Sequence, residues 1–138
     1  MSNTFKLKIA ASNKVFFDGD CVQLVVPIAD GGLKAFLAHH ENIVAPIEVG
    51  EMKITTVDGE EIFAFVGNGF IEFFDNEATL VCISAETPQE IDKRRAEEAK
   101  LIAQEKMRQK HSILEFKQSQ ADLARAMERL RVKNRHEI

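Results

Sequence analysis

A chain of 138 residues, 45% hydrophobic and 29% charged, has the make-up of one compact domain or a domain with an appendage. No apolar run reaches the length of a membrane-spanning helix, and the N-terminus shows neither a secretory apolar core nor an Arg/Ser-rich transit pattern, so a soluble, cytosolic protein is expected. The net charge of −4 hides an asymmetry: residues 1–90 hold 5 basic and 14 acidic side chains, whereas residues 91–138 hold 13 and 8.

In the first part, Phe5, Leu7 and Ile9 interleave with Lys6 and Lys8, the period of a half-buried strand. Val15, Phe16 and Phe17 form a short apolar run, and Asp18-Gly19-Asp20 after it predicts a turn. Cys21–Val26 is the next strand, stopped by Pro27, and Asp30-Gly31-Gly32 is a loop. Ile43–Val49 reads as a strand that Pro46 confines to an edge or a bulge. Met52–Thr56 and Ile62–Val66 flank Asp58-Gly59, a strong hairpin signal. Gly67-Asn68-Gly69 is another turn. Phe70–Phe74 and Ala78–Ser84 flank Asp75-Asn76-Glu77, a further hairpin. Eight or more short strands at this spacing predict an antiparallel sandwich or barrel. Cys21 and Cys82 lie in apolar strand runs, too few for a disulfide framework, and are expected to be small buried hydrophobes.

Near Ala85–Pro88 the period changes. Pro88–Arg131 holds no further proline and no glycine, and Ala, Glu, Lys, Arg, Gln and Leu dominate, all strong helix formers. Thr87 is the expected N-cap, with Pro88 opening the helix and Glu90 completing a capping box. One apolar face runs through Ile91, Ala96, Ala99, Ile102, Ala103 and Met107, a second through Ile113, Phe116, Ala121, Ala124, Met127 and Leu130. Gln109-Lys110-His111-Ser112 between them is a soft stop, compatible with one long helix but read as the turn of an antiparallel hairpin. Such a thin, Ala-rich hairpin buries little area and is marginally stable in one arrangement.

No catalytic constellation is legible. His39-His40-Glu41 has the residue types of a metal site but no third ligand spaced to join it, so a polar surface loop is expected. Glu60, Glu61, Glu72, Asp75 and Glu77 sit at hairpin ends, where solvation is the default. The basic tail lacks aromatic residues for base stacking and mixes in acids, which argues against nucleic acid and for a protein partner.

In order along the chain, VVP at 25–27, Asp30-Gly31, His40-Glu41-Asn42, Gly50, VGNGFIEF at 66–73, TLVCISAE at 79–86 and IDKRRAEEAK at 91–100 resemble the ε subunit of F-type ATP synthase, bacterial type. Ala121, Leu123, Arg125-Ala126 and Arg129-Leu130 continue the match, which covers the whole length. AFLAHH at 35–40 departs from it, standing one residue longer and without Gly or Pro where the family has G-I-L-P-x-H.

The resemblance implies a mixed fold: a ten-stranded antiparallel β-sandwich over residues 1–87, as two five-stranded sheets, and a helical hairpin over 88–138. It implies a non-catalytic central-stalk subunit, peripheral on the cytoplasmic side of the bacterial plasma membrane, with no required cofactor. The sandwich would bind the γ subunit and the c subunits of the rotor ring, with Asp30, Gly31, His39, His40 and Glu41 as the interface loop. The hairpin would extend to the β and α subunits of the catalytic head and inhibit ATP hydrolysis. ATP would be a regulatory ligand held by Glu86, Ile91, Asp92, Arg95, Ala96, Arg125 and Arg129, while Ile102 stands where nucleotide-binding members tend to have a further arginine. The competing reading is a free-standing β-sandwich binding module whose tail dimerises as a coiled coil; co-purification with γ separates the two.

Overall fold

The computed structural model describes residues 3–109 and 112–137. The backbone divides into two compact units, Met1–Thr87 and Pro88–Ile138. The first is built of strands, with one 3-10 turn at Ala29–Gly31: β1 (Phe5–Ala11), β2 (Lys14–Pro27), β3 (Leu33–Leu37), β4 (Ile43–Ile47), β5 (Gly50–Thr56), β6 (Glu61–Val66), β7 (Gly69–Phe74), β8 (Glu77–Cys82) and β9 (Ala85–Glu86).

Nine strands rather than ten build the sandwich because β2 serves both layers. Its first half pairs with β1, its second half with β3 and β5, and the register slips between Cys21 and Gln23, where the strand passes from one layer to the other. One layer runs β4-β7-β8-β1-β2 and the other β3-β2-β5-β6-β9, five strands each. The pairings are antiparallel except β1 with β8, which is parallel. Those two strands are far apart in sequence, so the long connection that a parallel pair needs is available.

The turn expected at Asp18-Gly19-Asp20 is absent; these residues lie inside β2. Asp18 stands opposite Lys8 and Asp20 opposite Lys6, so the residues that read as a turn make opposite-charge pairs across two strands. Asp58-Gly59 does turn, with Gly59 at φ 83°, and β5 pairs with β6 on either side of it. Pro46 lies on β4, which pairs only with β7 among the described strands. Gly69 answers to packing: a Cβ there would stand 2.0 Å from the carbonyl oxygen of Val81.

Alternate residues from both layers fill the core: Phe5, Leu7 and Ile9 from β1, Leu24 and Val26 from β2, Phe36 from β3, Met52 and Ile54 from β5, Ile71 and Phe73 from β7, Leu80 from β8. Phe73 links the aromatic end of this core, with ring centroids 5.3 Å from Phe5 and 5.9 Å from Phe36. Cys21 and Cys82 are buried free thiols. Burial pushes both up, Cys21 to about 12 with help from the neighbouring Asp20 charge, and Cys82 to about 11.

The second unit is two helices, α1 (Lys93–Arg108) and α2 (Ile113–Arg135). Lys93 Nζ lies 3.4 Å from Glu137, and Lys133 Nζ donates to the Pro88 carbonyl at 2.9 Å. The start of α1 therefore meets the end of α2, and the pair is antiparallel. The helix does not open at Pro88, which sits in a turn with Gln89 and Glu90. Its N-cap is Asp92, not Thr87: Asp92 has extended backbone and its carboxylate accepts from the Arg95 N–H at 3.1 Å. At the other end Gln109 leaves helical geometry, and Ser112 caps α2 by accepting from the Glu115 N–H at 3.2 Å. Two helices are thus formed rather than one; Lys110 and His111, where the turn was expected, lie outside the described residues.

The faces also differ from expectation. Ile102, Ile113, Phe116 and Met127 are exposed, as are Ala99, Ala121 and Ala124. Most buried helix positions are small: Ala96 and Ala103 on α1, Ser119 and Ala126 on α2, each pair seven residues apart, with Val132 the one larger buried side chain among the described residues of the two helices. Seven is the repeat of a close helix–helix seam, and small side chains let the backbones approach. Of the predicted α1 face, Ile91, Ala96 and Ala103 are buried, while most large apolar residues of the α2 pattern lie outside the seam.

Candidate functional site

Three features of the described residues stand out from an ordinary solvated surface. The first is on the outer face of the β4-β7-β8-β1-β2 layer. Register places Pro46 opposite Phe70, Phe70 opposite Val81, Val81 beside Ala10, and Ala10 opposite Val15. The result is a row of apolar side chains running across five strands. Phe70 is 48% exposed, Val81 41% and Val15 55%. Val44, 67% exposed, flanks the row one pair away on β4. Single exposed apolar residues are ordinary, but a contiguous row is what a protein partner covers.

The second feature is the β3–β4 loop at the aromatic end of the core. The His40 ring packs on Phe36 and Phe73 with centroids at 4.8 and 5.4 Å, and its Nδ1–H donates to the Glu41 carbonyl at 2.7 Å. His39 holds left-handed backbone, φ 66°. His39 and Glu41 are exposed and His40 half-buried. Asp30 and Gly31, with φ of 66° and 73°, form a 3-10 turn before β3. They lie at the opposite end of β3 from His39, separated by at least about 13 Å of strand at roughly 3.3 Å per residue. The structure therefore does not gather these five residues into one loop. Among the described residues no group of three or more His, Cys, Asp or Glu side chains is arranged to hold a metal ion.

The third feature is the hairpin. A groove of about 550 Å³ runs between its helices, with Glu97, Leu101 and Gln104 on one wall and Asn134, Leu130 and Met127 on the other. That pairing fixes the levels of the basic residues. Arg129 stands near the level of Ile102, Arg125 near that of Lys106, and Arg95 at the open end. At about 1.5 Å per residue, Arg95 and Arg129 are roughly 10 Å apart along the axis, and Arg95 and Arg125 roughly 16 Å. Arg125 is paired with Asp122 on its own helix. Asp92 already spends one carboxylate oxygen on the helix cap. Ile91 and Ala96 are buried. Glu86 belongs to the other unit, on β9 opposite Phe65. The hairpin thus has a polar open end with Asp92 and Arg95, and an arginine pair about two to three turns further in.

None of this is a catalytic arrangement, and comparison with known proteins agrees. Residues 4–88 match the family model described as ATP synthase, Delta/Epsilon chain, beta-sandwich domain, and residues 89–134 match the one described as its long alpha-helix domain. The chain is 35% identical to the ATP synthase epsilon chain of Clostridium novyi, over 94% of this chain and 98% of that one. It is 34% identical to the epsilon chain of Caldanaerobacter subterraneus subsp. tengcongensis, over 99% of each. The chain belongs to the ATP synthase epsilon chain family.

Epsilon chains are non-catalytic, which accords with a molecule whose notable features are surfaces. The fold recurs in a chain of the Euglena gracilis mitochondrial ATP synthase OSCP/F1/c-ring assembly, with a TM-score of 0.79 at 17% identity, covering 93% of this chain and 80% of that one. It recurs again in a chain of the Tetrahymena thermophila mitochondrial ATP synthase central stalk/c-ring, with a TM-score of 0.64 at 10% identity, covering 93% and 95%. No helix among the described residues is long and apolar enough to cross a membrane. Of the features above, this epsilon chain's cross-strand row escaped sequence reasoning. Its local signal is an apolar residue on the solvent side of GFIEFF, Phe70, where Phe74 is exposed as well.

Proposed function

We propose that this epsilon chain is a central-stalk subunit whose sandwich holds it on the γ subunit and the c subunits of the rotor ring. Its hairpin, in this reading, restrains ATP hydrolysis by opening toward the catalytic head. The observation that carries the reading is the apolar row from Pro46 to Val15. It leaves large side chains in water on the outer face of the sheet, and a permanent partner resolves that cost. The hairpin suits a switch. Most of its buried helix positions are small, and the contacts at its open end include the half-exposed Lys93–Glu137 pair and the Lys133–Pro88 carbonyl bond. An exposed ion pair contributes about 0–1 kcal/mol, so closed and opened arrangements can lie within a few kcal/mol. Residues 91–138 carry a formal charge of +5, which favours acidic surfaces of the catalytic head.

ATP is the regulatory ligand of the closed hairpin in the same reading. Arg95 and Arg129, roughly 10 Å apart along the axis, would share a polyphosphate, and the second oxygen of Asp92 would accept from the adenine amino group. Arg125 would have to leave Asp122 to join. The absence of an arginine at Ile102, level with Arg129, makes the site weaker by about 1.5–3 kcal/mol than one with that extra charged contact. Co-purification of the full chain with γ tests the assembly reading, and recovery of the chain as a free homodimer would replace it with the coiled-coil alternative. Calorimetry with ATP tests the ligand: no heat at millimolar ATP, or unchanged binding by Arg129→Ala, removes the site.

A further inference from the structure

Two asparagines join the β3–β4 loop to the β7–β8 turn. The Asn76 side chain works in both directions: its Oδ1 accepts from the His39 backbone N–H at 2.7 Å, and its Nδ2 donates to the Thr4 carbonyl at 3.0 Å. Asn42 returns the link, its Oδ1 accepting from the Asp75 N–H at 3.0 Å. Each loop thus satisfies a backbone donor of the other. The backbone makes this reach available. Asp75 and Asn76 both hold positive φ, 49° and 61°, the two-residue turn whose twist suits a hairpin. His39 holds φ 66°, which no β-branched residue would adopt readily. Between the two ties stands His40, its ring held on Phe36 and Phe73.

We propose that Asn42 and Asn76 are positioning residues that lock the 38–42 loop and the 75–76 turn into one rigid rim, fixing the His40 ring and the exposed His39 and Glu41 for contact with the γ subunit. The last clause rests on the reading that this loop meets another stalk subunit. A hydrogen bond closing one loop alone would loosen only that loop. Reciprocal bonds make the rim cooperative, so cutting either one frees both. Rigidity matters because ordering a mobile loop on contact subtracts from affinity.

The test uses the full chain and Asn76→Gly, which keeps the left-handed backbone while removing both side-chain bonds. Amide exchange followed by NMR should quicken tenfold or more at His39 and also at Asp75, whose own bond to Asn42 is untouched. The His40 ring signals should lose their ring-current displacement, with the melting temperature nearly unchanged. Asn76→Asp, which keeps the acceptor, should restore protection at His39. If Asn76→Gly does not fold, Asn42→Ala tests the same coupling from the other side, with faster exchange at His39 as the expected result. Exchange that quickens at His39 alone overturns the clamp. Affinity for a γ-containing assembly should fall about fivefold in Asn76→Gly, and equal affinity despite a loosened rim overturns the positioning role. A parent chain that does not bind γ refutes the assembly reading instead, and the exchange results still decide the clamp.

Discussion

Phe70→Ala isolates the apolar row from the rest of the molecule. Phe70 is 48% exposed and faces away from the core, while its neighbours Ile71 and Phe73 face inward. Truncation should therefore leave the melting temperature of the isolated chain nearly unchanged, within the ±0.5 kcal/mol typical of surface substitutions. Binding should respond. Full burial of a phenylalanine side chain contributes about 1.5–3 kcal/mol, and close to half of this one remains to be covered, so the transfer part is roughly 1 kcal/mol. Aromatic anchors in packed interfaces lose more than transfer alone, which raises the expected cost to about 1–2 kcal/mol. That is roughly a 5- to 30-fold weaker Kd for a γ-containing assembly lacking this subunit. Biolayer interferometry on that assembly measures it, with Leu33→Ala as control: Leu33 is more exposed, at 67%, but lies on β3 in the other layer. A change below twofold, or an equal loss with Leu33→Ala, would refute the assignment of the row. Val81→Ala should weaken binding less, and the double variant should deviate from additivity because the two side chains are register neighbours.

Asp92→Ala removes the α1 cap and should cost about 1 kcal/mol of hairpin stability, seen as helical circular dichroism lost at lower temperature, whereas Thr87→Ala should cost less. The two thiols make stability pH-dependent in a definite direction. Their folded values, about 12 and about 11, exceed the ordinary 9.0, so their contribution is intact below pH 9 and drains away as pH rises toward 11–12. At pH 10 the loss should be about 1.4 kcal/mol per thiol, read from urea unfolding, and should vanish in the Cys21→Ala/Cys82→Ala variant. Ile102→Arg should tighten ATP binding by tenfold or more if the closed hairpin holds nucleotide, from about 1.5–3 kcal/mol of added charged contact, measured by calorimetry.

What the sequence reveals here is local and what it hides is pairwise. Alternation in β1, the Asp58-Gly59 turn and Pro46 on an edge strand are each written within a few residues, and each is found. The reading fails where a distant partner decides. Asp18-Gly19-Asp20 has turn composition, yet the ladder to β1 runs straight through it, with Lys8 and Lys6 in register with the two acids. The helix start is a separate case, decided between local signals: Thr87-Pro88 is a good start, but Asp92, accepting from the Arg95 N–H three residues on, is the cap that α1 uses, as Ser112 is for α2. On α1 the expected face is half found, with Ile91, Ala96 and Ala103 buried, whereas on α2 burial falls on Ser119, Ala126 and Val132, none of them on the face that its apolar spacing predicts. The apolar row could not be read as a row, since its five members come from five strands and only register aligns them. Asp30-Gly31 and His39-His40-Glu41 are close in sequence, but β3 carries them to opposite ends of the sheet.

The central claim is a docking sandwich with an inhibitory hairpin, and one measurement bears on both parts: ATP hydrolysis by the reconstituted complex with the full chain and with a version ending at Thr87. The shorter chain retains the whole nine-stranded unit and the apolar row, so it should still assemble with γ while hydrolysis rises, most strongly at low ATP. Unchanged hydrolysis with γ still bound would contradict the inhibitory hairpin, and loss of γ binding on removing residues 88–138 would contradict the docking role of the sandwich.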